Sequence, residues 1–287
     1  MSTTIPQAFV IKWDDAIRLA AQQTESRFMK AVTNRGDIIG ESFTINNLSA
    51  VDFAENTVRH GDTEWSEITH STRLGVMRDF YTALPLDRND IPKMIVNPVT
   101  GGSYMQSIMA AKNRKIDQII YNALRGDIGS KDGATTYSLP VGQKIAHGGT
   151  GFTKAKLIQA RGLLRKNEAD EETGEELFVT YNNESLMDIL SDVTLTSADF
   201  MATQFLQEGK PGTKWMGFTW IPYEFPIISA VYYALAWAKS SIHFGTGYQE
   251  GKVSPRPDKK DATQVSMGAS YGAGRQDELK VVEVAFQ

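Results

Sequence analysis

Histidine is the side chain best suited to acid–base and zinc chemistry near neutral pH, and the 287-residue chain has four. They are His60, His70, His147 and His243. No two stand four residues apart, as a helical zinc site requires, and no His-Glu-x-x-His motif occurs. His147 lies next to two glycines, in a loop that resembles the lip of an active site. We expect His60 and His70 to be exposed, His243 to be partly buried in the core, and His147 to be the candidate for enzyme chemistry.

Two glycine-rich loops have backbone amides that could hold a phosphate. His147–Phe152 precedes a predicted helix, but it lacks the Gly-x-x-x-x-Gly-Lys-Ser/Thr pattern. Gly209–Lys214 has the composition of a phosphate loop in the wrong order, and it contains a proline. The acidic segment Glu168–Glu176 lacks the alternate-ligand spacing of a calcium loop. We therefore predict two turns and a solvated acidic stretch, with no catalytic residue, cofactor or metal site.

The composition narrows the possible chemistry further. The chain has no cysteine, which excludes disulfides, zinc–cysteine sites, iron–sulfur clusters and thiol catalysis. Its 30 basic and 34 acidic residues give a net charge of −4, whereas a protein that wraps DNA through its own charge is usually basic. The most basic segment, Lys252–Lys260, has no aromatic residue to stack on bases. These features favour a protein whose work is to associate rather than to catalyse.

The longest apolar stretch, Phe225–Ala238, is too short to cross a membrane and is interrupted by Pro226 and Ser229. We interpret it as leading into a buried core helix over Val231–Lys239. The first residues also lack the basic and apolar regions of a secretory signal. The expectation is a soluble protein without a membrane partner.

The clearest helix in the sequence is Ser103–Arg125. It has apolar residues at helical spacing along one stripe, and Gly126 is placed to end it. A second helix is predicted over Trp13–Val32, with acidic residues in its first turn. Thr153 is a candidate N-cap for a third helix. The third helix and two further ones are predicted over 154–169, 183–190 and 197–208.

Two segments, Glu41–Leu48 and Trp65–Leu74, alternate with the period of a strand and flank a turn-like stretch. They predict a long hairpin with two fairly polar faces. Such a hairpin is marginally stable alone, so it must be an edge flap or lie on another molecule. Further strands are predicted over 177–181, 214–221, 264–271 and 279–286, with a turn at 272–276.

The order of these elements resembles the major capsid proteins of tailed bacteriophages, which share the Hong Kong 97 fold with encapsulin shells. The resemblance covers the chain from about residue 10 onward. It is carried by Met216-Gly-Phe-Thr-Trp-Ile-Pro, by the stretch Ala230–Gly245, and by the ending Ala262–Arg275 with Val281-Val-Glu-Val-Ala. The expected fold class is therefore α+β, of the Hong Kong 97 capsid type.

The resemblance implies a division of the chain into parts. These are an N-terminal arm (1–35), an extended β-hairpin loop (36–82), a peripheral domain (83–139) with its spine helix at 103–125, an axial α/β domain (140–250), and return strands to both domains (251–287). It also implies an icosahedral shell of hexamers and pentamers around double-stranded DNA, assembled in the host cytoplasm and located in the virion. The expected partners are other copies of the chain, a separate scaffolding protein, a portal and decoration proteins. DNA is expected to be contacted non-specifically at most.

Three further expectations follow. An encapsulin-type compartment is an alternative with the same fold, and a small-molecule enzyme with its site near His147 is a weaker one. Aromatic and arginine side chains commonly anchor interfaces. On that basis Trp65 and Arg73 on the hairpin and Arg114 on the long helix are predicted to contact neighbouring subunits.

Overall fold

The N-terminal segment does not form the helix predicted over Trp13–Val32 in the part that the structure describes. The computed structural model describes residues 22–51, 53, 55, 65–90, 102–169, 174–191 and 214–287. Within it, residues 22–28 are irregular, Met29–Ala31 form a short 3-10 turn, and strand β1 occupies Thr33–Asp37. The predicted helix over 197–208 and the turn-like stretch at 56–63 lie outside the described residues.

Residues 22–28 are not helical because they are bound by a buried carboxylate that is far away in the sequence, that of Asp117. Asp117 accepts hydrogen bonds from Ser26 Oγ at 2.6 Å, from the Arg27 amide at 3.1 Å and from the Phe28 amide at 3.2 Å. A helix would need Arg27 and Phe28 to donate to carbonyls four residues earlier. The side chain of Asp117 takes those donors instead, and it holds the segment in an irregular path.

The chain divides into two compact units. The smaller one comprises the described residues of 22–25, 79–115 and 248–269, and the larger one comprises those of 26–78, 116–247 and 270–287. Within the smaller unit, Ile108 packs with Val265 and Met267 in a buried apolar cluster. This unit has a small core of its own.

The larger unit contains a six-stranded sheet with the order β7-β14-β11-β8-β10-β9. Strand β11 pairs with β14 and β8 in antiparallel fashion, and β8 pairs with β10 in parallel. All six residues of β14 are buried. The strands are Lys144–Ile145 (β7), Leu177–Tyr181 (β8), Lys214–Trp215 (β9), Phe218–Pro222 (β10), Tyr232–Ala238 (β11) and Val281–Phe286 (β14).

Strand β11 corrects the prediction of a buried helix over Val231–Lys239. It is an inner strand, and Ala234 to Ala238 are all buried. A strand covered on both faces is a continuous apolar run, which periodicity cannot separate from a buried helix. Trp237 fixes the strand further, because its Nε1 donates to the Ala31 carbonyl at 2.9 Å.

The single strand predicted over 214–221 is in fact a tight hairpin. Met216 and Gly217, with φ angles of 53° and 78°, form the turn between β9 and β10. Two successive residues with positive φ are typical of a type I′ turn, whose twist suits antiparallel strands. The Met-Gly pair is a weaker turn signal than Asn-Gly, so the alternating pattern by itself predicts one strand.

A four-stranded sheet has the order β1-β12-β13-β4. The C-terminal strand predicted over 264–271 is longer than expected, because β13 continues through the predicted turn at 272–276 as far as Arg275. Strands β4 and β12 were not predicted; the latter includes three glycines and part of the basic segment. Besides β1, the strands are Arg78–Leu86 (β4), Ile242–Arg256 (β12) and Ala262–Arg275 (β13).

Helix α1 occupies Ser103–Arg125, the predicted range. Helix α2, Lys154–Lys166, follows Thr153, whose side chain makes no capping hydrogen bond. Helix α3, Asn183–Ser191, is capped by Asn182, whose Oδ1 accepts from the Ser185 amide at 2.9 Å while Ser185 Oγ accepts from the Asn182 amide at 2.8 Å. This reciprocal pair satisfies two amides at the helix start.

Candidate functional site

The predicted hairpin is present in the larger unit. Strand β2, Ser42–Leu48, pairs in antiparallel fashion with β3, His70–Val76, from Ser42 opposite Val76 to Leu48 opposite His70. Beyond it, the Ser49 amide donates to the Thr69 carbonyl at 3.0 Å. The ladder is therefore seven residue pairs long, and β3 starts five residues later than the sequence predicts.

The base of the hairpin has one apolar face, where two polar faces were expected. Phe43 and Ile45, two residues apart on β2, are buried with Met77 and covered by Ile38. The Phe43 ring lies over Gly75 so closely that a Cβ there would be 2.3 Å from the ring. Any residue with a Cβ at this position would collide with the ring, so the base is tightly packed.

Arg73 lies on β3 and is turned into its own chain. Its Nη2 and Nε donate to the two carboxylate oxygens of Glu278 at 2.6 and 2.9 Å, and its guanidinium lies 4.3 Å from the centre of the Tyr137 ring. The Arg73 side chain is 6% exposed. Burial opposes its charge, but the hydrogen bond and charge of Glu278 raise the pKa of Arg73 above its ordinary value. The cation is therefore held by its own protomer.

Large apolar side chains are exposed along the outer part of the hairpin and its approaches. Phe53 is fully exposed and Trp65 is 88% exposed. Burying a side chain of this size is worth about 1.5–3 kcal/mol, so leaving several in water is costly unless a partner covers them. The exposed set is Ile39, Leu48, Val51, Phe53, Trp65, Ile68 and Val76.

The three predicted interface residues fall in different settings. Trp65 belongs to the exposed apolar set, and its interface role stays a prediction. Arg114 is exposed on α1 and donates to Gln22 Oε1 of its own chain at 3.3 Å, so its role also stays a prediction. Arg73 pairs with Glu278 of its own chain, and its interface role likewise stays a prediction. Sequence reasoning missed Phe53 and Ile39, because an isolated apolar residue in a polar stretch gives no sign of its exposure.

The loop His147–Phe152 is closed by its own chain. The buried Lys156 donates through Nζ to the carbonyls of His147, Thr150 and Gly151 at 2.8–2.9 Å. Asp188 accepts from the Phe152 amide at 2.6 Å. Burial lowers the pKa of Lys156, and the charge of Asp188 partly offsets this. The loop is a turn, as the pattern predicted, and the ammonium of Lys156 holds it closed through three carbonyls.

The other histidines lie as follows. His70 is exposed and His243 is buried, as expected, whereas His60 lies outside the described residues. His243 Nδ1 is 3.2 Å from Arg35 Nε, and Nε2 is 2.5 Å from Gln276 Oε1. Burial lowers the pKa of His243, the hydrogen bond to Gln276 raises it, and Arg35 lowers it. Its pKa is lowered overall, and the ring lies between a donor, Arg35 Nε, and an acceptor, Gln276 Oε1.

Two charged segments are exposed or paired within the chain. The basic segment ends strand β12 and continues as a 3-10 turn, where Arg256 pairs with Asp258 at 3.2 Å. In the acidic segment, Glu175 and Glu176 pair with lysines of the same chain. Over the described part of the chain, no three or more histidine and acidic side chains group as metal ligands, and no helix is long and apolar enough to cross a membrane.

The sequence and the fold were compared with known proteins. Residues 5–287 match the family model described as phage capsid protein. The capsid structure of cyanophage P-SCSP1u is similar, with a TM-score of 0.74 and 14% identity over 100% of this chain and 95% of that chain. A structure from Mycobacterium phage Che8 gives 0.72 and 14% over 96% and 97%, and one from Mycobacterium phage Ogopogo gives 0.71 and 11% over 100% of both. Curated protein sequences yield no match.

Proposed function

The chain belongs to the phage capsid protein family, and we propose that it assembles as hexamers and pentamers of an icosahedral shell around double-stranded DNA. As a major capsid protein it forms the phage shell by self-association, and it is located in the virion. The observation that supports the assembly proposal is the exposed apolar set on the hairpin and its approaches, next to a base that is buried. An encapsulin-type compartment is not favoured, because the family and the similar structures are those of phage capsids.

The hairpin supplies a physical reason for assembly. The protomer leaves Phe53 fully exposed and Trp65 88% exposed to water. A neighbouring copy that covers them adds roughly 1.5–3 kcal/mol for each fully buried side chain. Repeated at every subunit contact, this gain favours closed assemblies over free protomers. Trp65 and Phe53 are therefore the proposed anchors, and Arg114 remains a proposed contact of the long helix.

The proposed organisation keeps an N-terminal arm at 1–35, an extended loop at 36–82, a peripheral domain at 83–139, an axial domain at 140–250 and return strands at 251–287. It is supported by helix α1 over Ser103–Arg125, the hairpin between Ser42 and Val76, and the six-stranded sheet. We further propose a scaffolding protein, a portal and decoration proteins as partners, with assembly in the host cytoplasm.

The proposed role is structural and not enzymatic. The candidates for enzyme chemistry make contacts within the chain. Lys156 donates to the carbonyl of His147, and His243 lies between Arg35 and Gln276. The net charge of −4 agrees with a shell that encloses DNA with non-specific contacts at most.

Assembly of the purified chain tests the proposal. Light scattering follows assembly driven by polyethylene glycol, and negative-stain electron microscopy identifies rings and shells. The double variant Phe53→Ala/Trp65→Ala should remain folded but lose shells. Its control is Val141→Ala, which removes an equally exposed apolar side chain elsewhere and should assemble normally. Normal shells from the double variant would overturn the proposed role of the hairpin, and shells that carry an enzyme cargo instead of DNA in cells would favour a compartment.

A further inference from the structure

The hairpin is joined to the larger unit by a buried ion pair near its base. Arg73 and Glu278 are 205 residues apart in sequence, and the guanidinium grips both carboxylate oxygens. Their side chains are 6% and 12% exposed. A bidentate contact of this kind fixes the relative orientation of the two side chains as well as their distance, because the planar guanidinium binds both carboxylate oxygens in one orientation.

The surroundings of Arg73 are shaped to hold it. Its Nη1 donates to Ser71 Oγ at 3.1 Å, the Tyr137 ring covers the guanidinium, and its backbone forms a β-bridge with Ser130. Arg73 is therefore held on β3 itself and by the segment that follows helix α1. Together with the two bonds to Glu278, these contacts use one N–H of each guanidinium nitrogen.

Glu278 links the hairpin to a second buried arginine. Arg275 Nε lies 3.8 Å from Glu278 Oε1. The fully buried Arg275 donates to the carbonyls of Leu124 and Gly126, at 2.7 and 2.9 Å, and to that of Tyr137 at 3.0 Å. It thereby satisfies carbonyls at the end of α1. A continuous set of polar contacts runs from the end of α1 through Arg275 and Glu278 to the hairpin.

A buried ion pair is a poor source of stability, because removing two charges from water cancels much of their attraction. Its better-supported use is to select one arrangement over others. The hairpin benefits from such a device, because in the described part of the chain the buried apolar cluster at its base is small and consists of Phe43, Ile45 and Met77 with Ile38 packed against it. A hairpin already held in its bound orientation loses less freedom when it docks.

We propose that the Arg73–Glu278 ion pair is a latch that sets the orientation of the β2–β3 hairpin for docking on a neighbouring subunit. In this proposal Arg73 acts as a positioning residue within its own protomer, and its predicted contact with a neighbouring subunit stays a prediction. This inference rests on the proposed function of the hairpin in assembly.

The test uses Glu278→Gln, which keeps the shape of the side chain and removes its charge, and Arg73→Lys, which keeps the charge and removes the fork. The matched control is Glu283→Gln, which removes the charge of one partner in another ion pair of the larger unit, Arg125 with Glu283 at 2.6 Å, whose side chains are 28% and 8% exposed. Assembly rate is followed by light scattering, and amide hydrogen exchange reports the mobility of Ser42–Val76. Thermal unfolding measures the stability of each variant.

Both latch variants should exchange hairpin amides faster and assemble about tenfold more slowly or worse, while the control loses similar stability yet assembles at the normal rate. Arg73→Lys should retain more assembly than Glu278→Gln, because it keeps the attraction. If both latch variants assemble and exchange at the wild-type rate, the latch proposal is overturned. This conclusion holds even if Phe53→Ala/Trp65→Ala abolishes shells, because that double variant tests the apolar contacts and not the ion pair. Unfolding of both variants would also overturn it, because the pair would then be a general requirement of the fold.

Discussion

The six-stranded sheet and the β2–β3 hairpin place their large apolar residues in opposite environments. The sheet buries Trp237 completely and covers all of β14, so its core is complete within one protomer. Among its described large apolar residues, the hairpin buries Phe43 and Ile45 and leaves Phe53 and Trp65 in water. The difference indicates that the sheet stabilises the folded protomer, whereas the proposed role of the hairpin is to bury its apolar residues on a second subunit. Equivalent substitutions in the two regions should therefore affect different measurements.

The largest effect is expected in the sheet. Trp237→Ala removes a fully buried indole that stacks on Phe28 and Phe178 and bonds to the Ala31 carbonyl. The free energy of unfolding should fall by about 3–5 kcal/mol through the cavity and the lost contacts. Urea denaturation measures this. A loss below about 1 kcal/mol would mean that the sheet does not form the stabilising core.

A smaller effect is expected at the base of the hairpin. Gly75→Ala places a methyl group against the Phe43 ring, which must move, and the free energy of unfolding should fall by roughly 1–3 kcal/mol. Gly129→Ala is the control, because a Cβ there has open space. Denaturation and hairpin amide exchange distinguish the two. Equal behaviour of both variants would show that the base is not tightly packed.

Acidification should destabilise the larger unit through His243. Burial lowers its pKa in the folded protein below the ordinary 6.5, so the unfolded chain takes up the proton first. The free energy of unfolding should be unaffected by this group above pH 6.5 and should fall as the pH drops from there to the lowered pKa, by at most about 1.4 kcal/mol per pH unit. Thermal unfolding at several pH values, compared with His243→Gln, isolates the contribution, and identical profiles would contradict it.

The smallest effect on folding is expected for Trp65→Ala. Its indole is 88% exposed, so the free energy of unfolding should change by less than about 0.5 kcal/mol. Shell formation should nevertheless weaken, which contrasts directly with Trp237→Ala. Denaturation and light scattering on the same sample give both values. A large loss of stability with normal assembly would reverse the comparison between the two regions.

Local signals in the sequence were sufficient for some elements. Helix α1 has an apolar stripe with Gly126 after it, and helix α3 has Asn182 as its cap, so both follow from neighbouring residues. The hairpin was predicted from its alternation. In each case the physical cause lies within a few residues.

Other features depend on partners far away in the sequence. Asp117 determines the path of residues 26–28, and Glu278 turns Arg73 inward. Strand β11 has the same apolar run as a buried helix, and only its neighbours in the sheet decide between them. The exposure of Phe53 likewise depends on what the fold leaves uncovered. No local pattern contains this information.

The hydrogen bonds that Asp117 accepts from Ser26, Arg27 and Phe28 have a mechanical consequence. A pull applied to the chain upstream of Ser26 reaches this carboxylate before it reaches strand β1, so helix α1 takes the load first. The parallel pairing of Thr33 with His243 comes later along that path, after the bonds to Asp117 and the bond from Trp237 Nε1 to the Ala31 carbonyl. Tension on the N-terminal segment would therefore be borne at the middle of a long helix and not at the edge of a sheet.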